Sequence, residues 1–119
     1  MELAELYERI GGSMENLFGR FGNETRVKRF LGLFLKDPSF AELQAAAEAG
    51  DWAAAFRAAH TLKGVTANMN FTRLTHSASA LTEALRGGKT LEDRALLDAV
   101  CEDYRLVEST VREYLAAAP

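Results

Sequence analysis

The sequence of 119 residues holds one cysteine, two prolines, one tryptophan and no surplus of basic side chains. Cys101 alone cannot close an internal disulfide, and its spacing to the only histidines, His60 and His76, matches no zinc motif. It is expected to be a small apolar residue in a helix core. One proline is the last residue and the other sits in the break Asp37-Pro38-Ser39, so long helical stretches run uninterrupted. Alternating runs of β-branched residues are missing, and an all-α fold follows. No stretch of about 18 uncharged apolar residues occurs, so no membrane span is expected. The net charge of −3 offers nothing to replace counterions along a nucleic acid. The cluster Arg26, Lys28 and Arg29 reads as a solvated helix face. The start, Met1-Glu2-Leu3-Ala4-Glu5, is acidic and amphipathic, opposite to a secretory signal, and a cytoplasmic location is expected.

What is present is helical periodicity with clear punctuation. A first helix, about Leu3 to Ile10, ends at Gly11-Gly12, and Ser13 is placed to cap a short continuation through Leu17 and Phe18. A second stretch runs from about Asn23 to Lys36, with Val27, Phe30, Leu31, Phe34 and Leu35 as a broad apolar face. Ser39 is expected to cap Phe40 to Ala49, which Gly50 ends by turning left-handed. Asp51 caps the next segment, Trp52 to Asn68, and Asn70 marks its turn. Phe71, Leu74, Ala78, Leu81 and Leu85 then recur at helical spacing up to Gly87-Gly88. Thr90 with Asp93 resembles a capping box for a last helix, Leu91 to about Ala117, with Leu97, Val100, Cys101, Tyr104, Val107, Val111 and Leu115 inward. Trp52 and the phenylalanines are assigned to the core, and His76 to the surface. Short loops favour antiparallel neighbours. The expected architecture is an up-and-down antiparallel four-helix bundle with an additional short N-terminal helix. The chain reads as one domain, 1–119, divided into a helical extension, 1–21, and the bundle, 22–117.

The run His60-Thr61-Leu62-Lys63-Gly64 carries the chemistry. At roughly 100° per residue, Trp52, Ala55, Ala59, Leu62, Thr66 and Met69 form one stripe, assigned to the core. His60 falls about a third of a turn from its centre, beside Ala53, Arg57, Gly64 and Ala67, three of which are small. It should stand partly exposed in a shallow site that another protein can reach. A neutral imidazole keeps one lone pair able to attack phosphorus. Phosphoryl transfer asks mostly for positioning and for charge compensation on the equatorial oxygens. Lys63, one turn away, can supply that charge, although lysines beside an apolar stripe often only snorkel to water. Gly64 costs about 1 kcal/mol relative to alanine in a helix interior, which calls for a reason: room for an incoming partner, or close packing of a neighbouring helix. Ala53, Arg57, Ala67 and Asn68 are candidates for the docking surface around it.

The stretch Ala58-Ala59-His60-Thr61-Leu62-Lys63-Gly64-Val65-Thr66-Ala67-Asn68-Met69-Asn70-Phe71 resembles the signature of histidine-containing phosphotransfer (HPt) domains, in which A-H-x-L-K-G precedes small residues, an apolar residue and commonly glycine. The similarity extends over about residues 22 to 117, with its specific part around His60. The chain departs from that pattern at Asn70, where the family commonly has glycine. The resemblance implies a phosphorelay intermediate of two-component signalling: His60 accepts a phosphoryl group from a receiver-domain aspartate and passes it to another, Lys63 stabilises the phosphate, and Gly64 keeps the site open. Its implied partners are response-regulator receiver domains and a hybrid histidine kinase. No cofactor is expected on this chain, any Mg²⁺ being brought by the receiver, and the protein is expected to be a monomer.

Two other classes compete. A helical adaptor would bind a receiver or kinase without phosphotransfer, yet would have no need of a nucleophile at its centre. A two-histidine metal protein is disfavoured because His60 and His76 fall on separate helices with no Cys or carboxylate framework. Autonomous kinase activity is not expected, since the chain has no glycine-rich nucleotide loop and too little length for an ATP-binding domain.

Overall fold

The computed structural model describes residues 1–117, which form seven helices and no strand: α1 (Leu3–Arg9), α2 (Leu17–Phe21), α3 (Glu24–Phe34), α4 (Ser39–Ala49), α5 (Trp52–Asn68), α6 (Thr72–Ala84) and α7 (Arg94–Ala117). Residues 118 and 119, the end of the expected domain, lie outside the described residues. The all-α bundle matches the sequence expectation. The N-terminal part adds two short helices, α1 and α2, where one was expected. No helix among the described residues is long and apolar enough to cross a membrane.

Helices α4, α5, α6 and α7 pack consecutively, each against the next, and the short connections at Gly50-Asp51 and Met69–Phe71 turn the chain back on itself. The 24 residues of α7 span about 36 Å at the helical rise and dominate a molecule 44 × 24 × 20 Å across. Aromatic rings tie the outlying elements to this frame. Phe71, at the start of α6, lies 5.9 Å from Tyr7 of α1 and 5.0 Å, edge-on, from Phe34 of α3. Phe34 in turn meets Tyr104 of α7 at 5.7 Å, and Tyr104 stacks on Phe40 of α4 at 3.9 Å. These contacts thread one apolar seam through five helices. Every residue of the stripe expected on α6, together with Leu85 just beyond it, is fully buried.

Several local expectations are corrected. Ser13 caps no helix; its hydroxyl accepts from the Glu15 amide, a turn that delays α2 to Leu17, after Asn16 in a left-handed conformation. Ser39 is the first residue of α4 and buried, and its amide donates to Asp37 Oδ1 at 2.9 Å, so the aspartate caps across Pro38. Asp93, not Thr90, receives the Ala95 amide, and α7 therefore starts at Arg94 and not at Leu91. Phe30 and Phe18 are exposed, because their short helices are covered on one side only; Phe30 rests on Phe21 with centroids 4.9 Å apart. Trp52, at the very start of α5, and Phe56, Leu35, Cys101 and Leu115 are half-buried at the bundle edge. Burial still pushes the Cys101 thiol up.

The turn between α5 and α6 holds the N-terminal segment. Asn70 adopts φ +60°, a left-handed conformation open to asparagine, so its glycine-like turn is retained. Its Nδ2 donates to the carbonyls of Ser13 at 3.0 Å and Glu15 at 2.9 Å, and its backbone carbonyl accepts the Ser13 amide. Arg20 Nη1 donates to Asn70 Oδ1 and to the carbonyls of Ala67 and Asn68 at the negative end of α5. The Tyr7 hydroxyl donates to the Met69 carbonyl at 2.9 Å.

Two predictions follow from this turn. Asn70→Gly preserves the left-handed backbone but removes the side-chain bonds, and should cost about 1–2 kcal/mol in urea unfolding; Asn70→Ala should cost about 1 kcal/mol more, because its Cβ is strained at positive φ. Equal losses in the two variants would contradict this account. Burial raises the Tyr7 phenol above its ordinary value of 10.0, with Tyr114 adding to the effect and Arg20 opposing it. The fold thus favours the protonated phenol, so its contribution is complete below pH 10 and is lost as pH rises beyond. Tyr7→Phe should lose about 1 kcal/mol at neutral pH and decline less steeply than wild type in alkali, leaving Tyr114, raised by burial and by Glu24, to account for the remainder.

Candidate functional site

The site is built on α5, whose first turn is closed by Asp51 Oδ1 accepting the Ala54 amide at 3.1 Å. The helix runs over the span that its periodicity predicts. Ala55, Ala59, Leu62 and Thr66 are buried with almost no exposure, against α4 on one side and α6 on the other. That packing turns the opposite face outward. His60 is exposed there, with Ala53, Arg57, Gly64, Ala67 and Asn68, and Lys63 is half-buried at the α6 edge.

Gly64 resolves one of the two explanations left open by sequence. A Cβ built at this position meets no atom within 4 Å. Close helix packing is therefore not what the glycine serves, and the space beside His60 is open on this chain. The docking candidates divide by direction. Ala53 and Ala67 lie along the His60 row, whereas Arg57 lines a shallow groove against α4, and Asn68 one against α3 with Phe30, Leu33 and Val65. The last of these grooves brings two exposed apolar side chains, Phe30 and Leu33, to the edge of the face.

On the other flank, Lys63 and Ala67 line an open groove of about 600 Å³ shared with Arg20 and Asn70 and with His76 of α6. His76 is thus exposed, as expected, and stands on the same groove as Lys63. Its wall on the far side is the N-terminal segment, through Ser13, Glu15 and Asn16.

Three neighbours of His60 escaped the sequence reading. The Phe56 ring, one turn earlier on α5, lies 6.0 Å from the His60 ring at an interplanar angle of 28°. The guanidinium of Arg86 stands 5.4 Å over Phe56 and is held by Glu83 of α6 through two hydrogen bonds, 2.8 and 3.0 Å. Arg86 keeps the Glu83 carboxyl below its usual range, first through the hydrogen bond and then through charge, and Lys63 and His60 pull in the same direction. The Glu83 carboxylate is thus fixed, through Arg86, behind the Phe56 ring that neighbours His60. Reflecting α5 and α6 about the turn at Asn70 would have pointed to it, since that pairing sets Phe56 opposite the neighbourhood of Ala84. Among the described residues no three His, Cys, Asp or Glu side chains gather in a way that could hold a metal ion.

The sequence profile of the Hpt domain matches residues 37–118, a span that takes in α4 to α7 and leaves α1, α2 and α3 outside, although the resemblance was expected from about residue 22. No curated protein and no solved structure matches the chain. Hpt domains are phosphotransfer carriers of two-component signalling, without kinase activity, that interact with receiver domains and kinases. The match covers well over half of the sequence and includes the whole of the helix that presents His60; the chain belongs to the Hpt domain family.

Proposed function

We propose that the protein is a phosphorelay intermediate in which His60 takes a phosphoryl group from an aspartate of one receiver domain and delivers it to an aspartate of another. The observation that carries this reading is the exposed imidazole of His60 beside a glycine whose absent side chain faces open space. In the forward step a ring nitrogen of neutral His60 donates its lone pair to phosphorus. The bond from phosphorus to the receiver's aspartate breaks, and its electron pair leaves with the carboxylate. The other ring nitrogen keeps its proton, so the phosphorylated ring is cationic. Return transfer to a second aspartate reverses these bond changes.

Lys63 lies one turn from His60 on its α6 side and is flexible enough to follow the charge of the moving phosphoryl oxygens. Gly64 leaves a gap through which the receiver's aspartate approaches in line. The divalent cation belongs to the receiver, and the protein has no part in ATP-dependent phosphorylation. Docking engages the exposed row of Ala53 and Ala67, with Arg57 and Asn68 as its polar rim. It acts as a cytoplasmic monomer, with a hybrid kinase among its donors.

Incubation with a phosphorylated receiver should label wild type, whereas His60→Gln should stay unlabelled while keeping its helical circular dichroism; equal labelling of the variant would sink the assignment. Gly64→Ala separates access from packing. It should raise stability by up to about 1 kcal/mol, since alanine is the better helix former and meets no neighbour, while slowing phosphotransfer in rapid-quench assays. A variant that is less stable, or stabilised but equally fast, would remove the access role of Gly64.

A further inference from the structure

Arg86 is tied to the aromatic ring beside His60 and is held ready by Glu83, one turn earlier in the chain. Its guanidinium makes a two-bond fork with Glu83 and lies over Phe56, whose ring is the next aromatic plane along from His60. Both members of the pair are more than half exposed. We propose that Arg86 is a second phosphoryl-holding residue, which exchanges the Glu83 carboxylate for the oxygens of the phosphoryl group on His60. The inference rests on the phosphorelay reading above and assigns a further residue to the same site.

The charges make the exchange favourable. A phosphoryl group carries close to two negative charges and three acceptor oxygens, against one charge on a carboxylate, and guanidinium matches either with the same planar fork. An exposed ion pair contributes little to stability, so opening it costs the fold little. Arg86 has a long, freely rotating side chain at the mouth of the α6 to α7 loop, and its re-aiming needs no movement of the bundle. Phe56 supplies a flat apolar support on which the guanidinium can rest. The charge pattern is also complementary as a pair. Phosphorylated His60 combines a cationic ring with an anionic phosphoryl group, so Arg86 meets the anion while the exposed Glu83 carboxylate is released to water. Lys63 stands one turn after His60 on α5 and Phe56, with Arg86 over it, one turn before, so the two cations would approach the phosphoryl oxygens from either end of that turn.

The test uses the full chain with Arg86→Ala, Arg86→Lys and Glu83→Gln, each checked for unchanged thermal unfolding. Each protein is phosphorylated in two ways, by a phosphorylated receiver and by phosphoramidate, a small donor that needs no docking surface. The readouts are the rate of labelling and the lifetime of the phosphohistidine. Arg86→Ala should slow labelling from both donors by about tenfold, the loss of one charge-assisted hydrogen bond from the transition state, and should shorten the phosphohistidine lifetime. Arg86→Lys should recover part of both. Glu83→Gln, which frees Arg86, should label at least as fast as wild type. If Glu83→Gln is impaired as much as Arg86→Ala, the pair is only a structural ion pair and the proposal falls. It falls also if Arg86→Ala labels and decays like wild type, an outcome that leaves the phosphorelay reading standing. A defect of Arg86→Ala with the receiver alone would make Arg86 a docking contact and overturn the proposal as well. Wild type that neither donor labels would bring down both readings together.

Discussion

The burial of one narrow stripe on α5 is the constraint on which the rest of the molecule depends. Ala55, Ala59 and Leu62 lie against two helices at once, and the two alanines let α4 and α6 approach closely from either side. With that stripe turned inward, the helical repeat leaves no choice about the other face. His60, Gly64 and Ala67 must point outward and in one row. The exposure of His60 is thus a consequence of core packing, and that packing fixes the backbone from which the imidazole projects. Thr66 closes the inner stripe without breaking its apolar character. Its hydroxyl donates to the Lys63 carbonyl and accepts from Thr75 of α6, so the polar atom is fully used where it is buried.

The N-terminal segment is attached to this frame at the turn around Asn70 and, on α1, by the ion pair of Arg9 with Glu113 of α7. Asn70 stands where a glycine would satisfy the backbone equally well, but glycine could not reach Ser13 and Glu15. Arg20 completes the junction by covering the carbonyls at the end of α5, a position where a cation is favoured by the helix dipole. The aromatic contacts of Tyr7 and Phe71 then seal the same junction from inside. Residues 1–21 lie outside the span that matches the family, yet they form one wall of the groove that Lys63 lines. The departure at Asn70 and the presence of this wall have one physical explanation, which is that the asparagine side chain builds the joint between them.

Legibility from sequence followed the range of the interactions. The limits of α5 and the buried positions of α6 could be read because a helix facing a core on one side repeats its apolar residues at a fixed period. The left-handed residues Gly50 and Asn70 were readable for a similar reason, since few residue types tolerate that conformation. Helix starts were less so. Ser13, Ser39 and Thr90 are all good capping residues in isolation, and in each case a neighbouring group or turn decided where the helix began. Phe18 and Phe30 look like core residues to any local reading, and only the absence of an element over α2 and α3 leaves them in the open. Glu83 and Arg86 were legible only through the pairing of α5 with α6. They sit more than twenty residues from His60, and their nearness depends on how two antiparallel helices register.

The electrostatics of the face suit a carrier better than a store. A histidine buried among fixed cations would bind a phosphoryl group strongly and surrender it slowly, because charges attract most where water is excluded. Here the imidazole is exposed, Gly64 adds open space, and the nearby charges of Arg86 and Glu83 already neutralise one another. Water screens what attraction remains. On the proposed reading, a phosphoryl group on His60 would be held by weak, rearrangeable contacts, and stronger ones would form only while a partner is docked and water is displaced. Transfer in either direction would then require no deep well to be climbed, and the partner's own charges would decide which way the group moves.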